Sequence, residues 1–268
     1  MFGSRNSKIV LGVIIGALVI IASIILVMQP TQEPPTEITL KLTGNDGVMI
    51  EAAGIRIYID PLYIPSNYSE LPADVILITH DHTDHYSPSD IEDIITNDTL
   101  FICPANMTEA IDRFNGTGVN PGVTVMFGDI NITAFHLYVP DYSSGLPTFH
   151  PRSANWTSFL IEIDGFTIYH AGDNKYIDEY EQLTGTIDVA FLPIYFDPGF
   201  GPLNESLLPI VEAIDMIQPR IVIPTHFTNP NREIFIDEYS ILVENTITET
   251  LNLPYFSTVV YESDAFST

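Results

Sequence analysis

The stretch Thr79-His80-Asp81-His82-Thr83-Asp84-His85 places three of the chain's seven histidines and two aspartates within seven residues. Imidazole and carboxylate groups at this density are ligands that a divalent metal ion gathers. An apolar run, residues 74–78, precedes the stretch and predicts a buried strand. Residues 89–92, Ser-Asp-Ile-Glu, follow it and are typical of a helix start. The sequence therefore predicts a metal site between a strand and a helix, whereas the alternative is a solvated histidine-rich loop.

The His-x-His-x-Asp-His spacing of residues 80–85 resembles the signature of the metallo-β-lactamase fold, a large group of metal-dependent hydrolases. The resemblance implies an α/β fold, a four-layer αβ/βα sandwich with its metals at one edge of the sheets. Runs of strands interleaved with helices after residue 38 agree with this expectation. Within the group, the chain resembles the branch of ascorbate-6-phosphate lactonase and N-acyl-phosphatidylethanolamine phospholipase D.

The N-terminal region differs from the rest of the chain. Residues 9–28 are an uncharged apolar run, which is long enough as a helix to predict a transmembrane anchor, and a cleaved signal peptide is the alternative. Arg5 and Lys8 precede the run, so we expect residues 1–8 in the cytoplasm. A Pro-rich linker, residues 29–37, then leads to a hydrolase domain over residues 38–268. Gly12 and Gly16 have a spacing that would allow a homodimer through this helix.

The charge of the chain and its N-glycosylation sequons bear on whether the hydrolase domain lies inside or outside the cell. The net charge is −26 and all 35 acidic residues follow the apolar run, which argues against a nucleic-acid partner; a high-salt habitat would also explain the acidity. With Cys103 as the single cysteine, no internal disulfide is expected. We expect a single-pass cell-membrane glycoprotein with an extracellular catalytic domain. Its sequons begin at Asn67, Asn97, Asn106, Asn115, Asn131, Asn155 and Asn204.

Later motifs supply the remaining ligands that the resemblance implies. Gly172-Asp173 closes a predicted strand and resembles the family's Gly-Asp motif, whose aspartate bridges two metals. His226 follows a buried Pro-containing run and resembles the last ligand. The third motif has two candidates, His136 at a predicted strand end and His150 in a His-Pro pair, and we favour His136. The other histidine is then expected to line the pocket.

The resemblance also implies roles. His80, His82 and His136 would hold one metal, and Asp84, His85 and His226 the other, with Asp173 between them. Asp84 and Asp173 are the expected catalytic residues. Asp60, at a strand end, is expected to accept a hydrogen bond from a ligand histidine, and His150 and His170 are further candidates near the metals or the substrate.

The expected cofactors are two divalent ions, with Zn²⁺ preferred over Mn²⁺ or Fe for a histidine-rich set. The expected reaction is hydrolysis of a small-molecule lactone, ester or phosphodiester by a metal-activated hydroxide. A non-catalytic metal-binding surface protein and an extracellular nuclease are the alternatives. Aromatic residues of the segments 62–71 and 140–156, among them Tyr63, Phe149 and Trp156, are expected to line the pocket.

Overall fold

Two mixed β-sheets flanked by helices make up the protein in a computed structural model that describes residues 37–141, 147–227, 232–262 and 265–267. The strands in the described residues, in chain order, are β1 Ile38–Leu42, β2 Val48–Ala52, β3 Ile55–Ile59, β4 Val75–Leu77, β5 Leu100–Pro104, β6 Thr117–Val119, β7 Thr124–Phe127, β8 Ile130–Leu137, β9 Trp156–Ile163, β10 Phe166–His170, β11 Val189–Pro193, β12 Ile221–Thr225, β13 Glu249–Thr250, β14 Thr258–Glu262 and β15 Ala265–Ser267. The α-helices are α1 Pro88–Ile94, α2 Thr108–Phe114, α3 Leu203–Ile217 and α4 Arg232–Val243. Short 3₁₀ helices cover Ser66–Glu70, Arg152–Ala154, Asp178–Leu183 and Pro198–Phe200.

The first sheet has the strand order β15-β14-β1-β2-β3-β4-β5-β6. Its strands from β15 to β3 pair in antiparallel fashion, and the pairs from β3 to β6 are parallel. Parallel neighbours end at the same edge, so the carboxyl ends of β3 and β4 lie side by side there. This edge carries both Asp60, directly after β3, and the histidine-rich stretch after β4.

The second sheet repeats this plan with the order β13-β12-β11-β10-β9-β8-β7. Strands β7 to β10 are antiparallel, and β10 to β13 are parallel. The strands β10 and β12 end at His170 and Thr225, directly before the segments that carry Asp173 and His226. Each sheet therefore brings its candidate ligands to the carboxyl ends of parallel strands.

The alternation of side chains along the strands explains how the helices and sheets stack in layers. In β4, Val75 and Leu77 join the core between the sheets, whereas Ile76 packs with Ile91 of α1 and Ala110 of α2 on the other face. Helix α3 places a buried apolar stripe against the same inter-sheet core on the side of the second sheet; the stripe consists of Leu207, Ile210, Ala213, Ile214 and Ile217. A strand covered on both faces must be apolar throughout, as the fully buried β4, β11 and β12 are. The predicted αβ/βα sandwich is confirmed.

The expected cell-membrane location is wrong on these findings. Across the described ranges, which begin at residue 37, no helix combines the length and the apolar character needed to cross a bilayer. The predicted anchor of residues 9–28, with Gly12 and Gly16, and the stub of residues 1–8 lie outside the described residues. The extracellular location of the catalytic domain is wrong with it, and glycosylation of the sequons stays a prediction.

Candidate metal centre

The histidine-rich stretch leaves β4 and turns immediately. The backbone N–H groups of His85 and Tyr86 both donate to the carbonyl of His82, at 3.0 and 2.8 Å, so the stretch closes into one tight turn. Helix α1 then begins at Pro88, and the side chain of its N-cap Ser87 accepts from the N–H of Asp90. The start of this helix is thus two residues earlier than the capping box predicted at Ser89.

One group of candidate ligands comprises His80, His82, His150 and Asp173. Each offers one ligand atom within 4.8 Å of the others. Nε2 of His150 lies 2.8 Å from Oδ2 of Asp173, and Nε2 of His80 lies 3.6 Å from the same oxygen. Two imidazoles thus face one oxygen of a buried carboxylate, and His82 completes the group.

A second group comprises Asp84, His85 and His226. Nε2 of His226 lies 3.4 Å from Oδ2 of Asp84 and 3.1 Å from Nε2 of His85. Both of these nitrogens also face the other oxygen of Asp173, since His85 lies 3.1 Å and His226 3.2 Å from Oδ1. Asp173 therefore presents one oxygen to each group, which is the arrangement expected of a bridging ligand.

The structure brings His150 to the first group, not the favoured His136. Among the described residues, His136 belongs to none of the clusters able to hold a metal. The ligand comes from the connection after the strand: the N–H of Val139 donates to the carbonyl of His150 at 2.8 Å, which holds His150 beside the end of β8. Position at a strand end does not by itself single out His150, because the connection that carries it returns to the same edge.

Asp60 fixes two of the histidines. Its Oδ2 accepts from the hydroxyl of Thr79 at 2.5 Å and lies 2.8 Å from Nδ1 of His85, while its Oδ1 accepts from the N–H of Thr79. The same Thr79 hydroxyl lies 2.9 Å from Nδ1 of His80. Because the Thr79 hydroxyl donates its hydrogen bond to Asp60, this hydroxyl can only accept a hydrogen bond from His80. Both imidazoles then carry hydrogen on Nδ1 and turn Nε2 toward Asp173. Burial opposes the protonation of His85, but the carboxylates of Asp173 and Asp60 outweigh it and raise the pKa of His85 well above its usual value.

Burial and charge set the protonation of the site. Burial lowers the pKa of His80 well below its usual value and also lowers the pKa of His82, so both imidazoles are neutral, the form that binds metal. Burial opposes the ionisation of Asp173, but the imidazoles of His85 and His226 outweigh it and hold the pKa of this carboxyl well below its usual value. The His226 imidazole likewise lowers the pKa of Asp84 to about 2.

The turn that presents Asp173 requires two particular neighbours. Gly172 has φ of 55°, and a Cβ there would lie 2.7 Å from a methyl of Leu137, so only glycine fits. Asn174, directly after Asp173, is the second neighbour. Its Oδ1 accepts from the N–H of Tyr138 at 2.8 Å, and its Nδ2 donates to the carbonyl of His136 at 2.6 Å. Asn174 therefore joins the Asp173 turn to the end of β8.

His170 is buried and lies outside both groups. Its Nε2 lies 2.8 Å from the carbonyl of Asp46, and its Nδ1 accepts from the N–H of Gly172. Burial lowers the pKa of His170, so the neutral ring can donate at one nitrogen and accept at the other. This places the imidazole as a support for the Asp173 turn.

Sequence reasoning missed Asn45 and Asp46, which lie between β1 and β2. The side-chain amide of Asn45 donates to the backbone carbonyl of Asp84 at 2.8 Å. The backbone carbonyl of Asn45 accepts from the N–H of His226 at 3.1 Å. Asp46 is buried, 3.9 Å from His85, and burial raises its pKa well above the usual value. The segment Gly44-Asn45-Asp46-Gly47 has the composition of an ordinary hairpin turn, so the sequence carried no distinguishing signal.

The donor set fits divalent metal ions. Nε2 of His80 and Nδ1 of His150 are buried and have no hydrogen-bond partner. Buried polar atoms left in this way cost free energy unless something else binds them. Nε2 of His85 and Nε2 of His226 lie 3.1 Å apart and both face Oδ1 of Asp173, a convergence of nitrogen and oxygen ligand atoms that suits a divalent cation.

Comparison with known proteins agrees with this geometry. Residues 39–226 match the family model described as a β-lactamase superfamily domain. A UPF0173 metal-dependent hydrolase of Anoxybacillus flavithermus is 31% identical over 205 residues, covering 70% of this chain and 86% of that protein. A UPF0173 metal-dependent hydrolase of Thermococcus kodakarensis is 29% identical, covering 71% of this chain and 84% of the relative.

Solved structures show the same fold. A crystal structure from Parabacteroides distasonis, named as a metal-dependent hydrolase, has a TM-score of 0.66 at 25% identity and covers 81% of this chain and 92% of its own. The metallo hydrolase Igni18 of Ignicoccus hospitalis has a TM-score of 0.65 at 21% identity, with 85% and 99% covered. With the family model spanning most of the chain and two ligand groups at the expected edge, this chain belongs to the β-lactamase superfamily of metal-dependent hydrolases.

Proposed function

We propose that the protein is a dinuclear metal-dependent hydrolase that cleaves a small-molecule lactone, ester or phosphodiester. The observation that supports this most is Asp173, which presents one carboxylate oxygen to each of two ligand groups. His80, His82 and His150 would hold one ion, and Asp84, His85 and His226 the other. Zn²⁺ suits these imidazole and carboxylate donors, as do Mn²⁺ and Fe.

Two divalent ions held here would lower the pKa of a shared water toward neutrality and polarise the substrate oxygen under attack. The side chains do the positioning. Asp60 keeps His80 and His85 in the tautomer that leaves Nε2 free, through Thr79 in the first case and directly in the second. Asn45 holds the backbone carbonyl of Asp84 and the backbone N–H of His226 at a fixed separation.

Asp84 is the candidate for handling the proton. Its side chain is 49% exposed, whereas Asp173 is buried, so only Asp84 of the two presents a carboxylate oxygen to the open side of the site. Because the pKa of Asp84 lies at about 2, the group is ionised at neutral pH and would be able to accept a hydrogen bond from a water in the site. That hydrogen bond would orient the water toward the substrate.

Trp156 closes the site on one side. Its ring lies 5.0, 4.9 and 5.7 Å, centroid to centroid, from the rings of His80, His82 and His150, and the residue is 8% exposed. A buried indole against three ligand imidazoles excludes water from that side and lowers the local dielectric, which strengthens the electrostatic interactions of the site.

Metal counting combined with kinetics tests the proposal. We expect two ions per chain by elemental analysis of the protein reconstituted with Zn²⁺, and hydrolysis of at least one substrate in a panel of lactones, esters and phosphodiesters. His150→Ala is expected to lose one ion, and His136→Ala, its matched control, to keep both. Two ions retained in His150→Ala would refute the ligand assignment.

Hydrolysis must also be tested independently of metal content. A fully loaded protein that cleaves no member of the panel would favour a metal-binding protein without catalytic function. Cleavage of single-stranded RNA in preference to every small molecule would favour a nuclease on the same fold.

A further inference from the structure

Strand β11 ends between the two strands that lead to Asp173 and His226. Its neighbours β10 and β12 run parallel to it on either side, so all three strands end at the same edge of the second sheet. The N–H of Ile194, directly after β11, donates to the carbonyl of Thr225 at 2.9 Å, next to His226. Among the described residues, the end of β11 supplies no ligand to either group, and Tyr195 lies in that place.

Tyr195 contacts both of these ligands. The centroid of its ring lies 4.8 Å from the centroid of the His226 imidazole, with an angle of 48° between the two planes. Its hydroxyl donates to the backbone carbonyl of Asp173 at 3.3 Å. One half-buried side chain therefore lies against a ligand imidazole and also holds the turn that presents the Asp173 carboxylate.

Lys175 supports Tyr195 from the interior of the protein. The lysine side chain is fully buried, which is rare for a lysine unless other groups pair with it. Nζ of Lys175 donates to the backbone carbonyl of Tyr195 at 2.8 Å. The same nitrogen lies 3.8 Å from the centroid of the Tyr195 ring, a distance at which a cation and an aromatic face attract each other. Lys175 thus contacts both the backbone and the ring of the tyrosine.

This support does not depend on the charge of Lys175. Burial lowers the pKa of Lys175 to about 7, and the carboxylates of Asp173 and Asp197 oppose this shift. The ammonium and the neutral amine both carry N–H groups, so either form can donate to the carbonyl of Tyr195. An ammonium close enough to interact with the Asp173 carboxylate also repels metal ions that this carboxylate binds. The structural and the electrostatic effects of Lys175 on metal binding therefore have opposite signs.

We propose that Lys175 is a positioning residue for the second ligand group and acts through Tyr195 on His226 and Asp173. This inference rests on the two-ion centre of the proposed function and goes beyond it, because it assigns a role to two residues outside both ligand groups. His226 belongs to the second group alone, whereas Asp173 faces both groups. Loss of the support therefore weakens the ion of the second group more than the ion of the first.

Removal of the lysine nitrogen distinguishes positioning from charge. Lys175→Met keeps most of the length of the side chain and removes its hydrogen-bond donor. We expect the affinity of the second group for Zn²⁺ to fall by about tenfold and that of the first group to change less. Competition with a chromophoric chelator measures both affinities, and His226→Ala and His150→Ala identify which binding step belongs to which group.

Two results in Lys175→Met would overturn the proposal. A second-group affinity that is unchanged or higher would show that the lysine acts through its charge alone or has no effect, because loss of a nearby positive charge favours a bound cation. Equal weakening of both ions would show a general disturbance of the fold instead of a role at His226.

Substitution of the tyrosine tests the same path without a change of charge. Tyr195→Leu removes both the ring beside His226 and the hydroxyl, whereas Tyr195→Phe removes only the hydroxyl that donates to Asp173. We expect the second ion to weaken by about tenfold in Tyr195→Leu and by less in Tyr195→Phe. These variants decide the question if Lys175→Met does not fold. Full affinity of the second group in Tyr195→Leu would overturn the proposal.

Lys41→Met is the matched control. Nζ of Lys41 also lies over a tyrosine ring, 5.9 Å from the centroid of Tyr68, and Tyr68 belongs to neither ligand group. We expect both Zn²⁺ affinities to be unchanged in this variant. A fall equal to that in Lys175→Met would show that the loss of either lysine weakens the centre, and the assignment to Lys175 would be overturned.

Metal counting separates failure of this inference from failure of the proposed function. The affinities are measured without turnover, so they do not depend on the identity of the substrate. Fewer than two ions in the unaltered protein would refute the two-ion centre and with it the premise of the inference. Two ions in the unaltered protein, with the second-group affinity kept in the Lys175 and Tyr195 variants, would refute the positioning role alone.

Discussion

The two sheets supply their candidate ligands in opposite ways. The first sheet supplies four of them from one turn, residues 80–85, at the end of β4. The second sheet supplies His150, Asp173 and His226 from three separate connections, each held by its own hydrogen bonds. A run of ligands in one turn is local and can be recognised in the sequence, whereas scattered ligands meet only when the strands are in register. The two halves should therefore respond differently when single supports are removed.

The largest effect is expected at Asp173, where the two halves meet. Asp173→Ala removes an oxygen from each ligand group, so we expect loss of both ions and a fall in kcat/KM on the order of 10³-fold or more, since a bound ion contributes several kcal/mol to such reactions. Elemental analysis and steady-state kinetics measure this. The exposed Asp215→Ala on α3 serves as the control. If Asp173→Ala keeps one ion at full occupancy, then the groups are independent and Asp173 does not join them.

Metal removal tests whether the ions tie the sheets together. Metal that binds only the folded protein stabilises it by about 4 kcal/mol at 1,000 times its Kd. We expect the melting temperature by calorimetry to fall by several degrees on dialysis against a chelator and to return when Zn²⁺ is added back. An unchanged melting temperature, with metal content verified, would contradict a centre shared by two sheets.

Asp60→Asn tests the first sheet. Because Asp60 orients His80 through Thr79 and His85 directly, the substitution should weaken metal binding by about 10–100-fold in both groups. Competition with a chromophoric chelator measures the two affinities. A loss confined to one ion would mean that the path through Thr79 does not fix His80. Asp98→Asn, in an exposed turn, provides the matched control.

The same contrast between local and scattered ligands explains how much of this centre could be predicted from the sequence. The αβ/βα architecture and the local ligands His80, His82, Asp84 and His85 could be inferred because a short motif with one spacing carries both. His150 could not be inferred from the sequence. The choice between His150 and His136 depends on a connection that folds back to the end of β8, where the N–H of Val139 donates to the carbonyl of His150. Spacing along the chain does not encode such a return.

Asn45 and Asp46 illustrate a second limit. Their contribution arises from contacts with residues far away in the chain, among them the backbone of Asp84 and of His226. In the sequence they occupy a glycine-flanked turn like any other. Backbone contacts of this kind depend on tertiary packing and leave no residue pattern to detect.

Asn174→Ala tests a support of the second sheet. The substitution leaves the buried N–H of Tyr138 without its partner and removes one donor from the carbonyl of His136, which still accepts from the hydroxyl of Ser158; the unpaired N–H costs about 1–3 kcal/mol of the free energy of unfolding. Urea denaturation measures this, and the exposed Asn120→Ala is the control. We also expect the ion held by His150 to weaken more than the one held by His85. Equal weakening would remove the proposed difference between the halves.

The smallest effect concerns the rigidity of the first sheet. Burial raises the pKa of Cys103, on β5 beside β4, to about 12. At pH 8 the thiolate fraction is then only about 10⁻⁴, so iodoacetamide should label the native protein very slowly and the urea-unfolded protein readily. Mass spectrometry measures the extent of labelling. Rapid labelling of the native protein would show that the strands beside the histidine-rich turn open easily.

The contacts of Asn45 have a consequence for the order of assembly. The Asn45 carbonyl accepts from the N–H of His226 at 3.1 Å and from the hydroxyl of Tyr255 at 2.9 Å, a partner 210 residues away in the chain. During synthesis, the turn that contains Asn45 emerges about 180 residues before His226. Contacts of such sequence separation form late and slowly. The second ligand group is therefore completed only after residue 226 has been made, and a nascent chain that ends before it lacks one candidate ligand of this group.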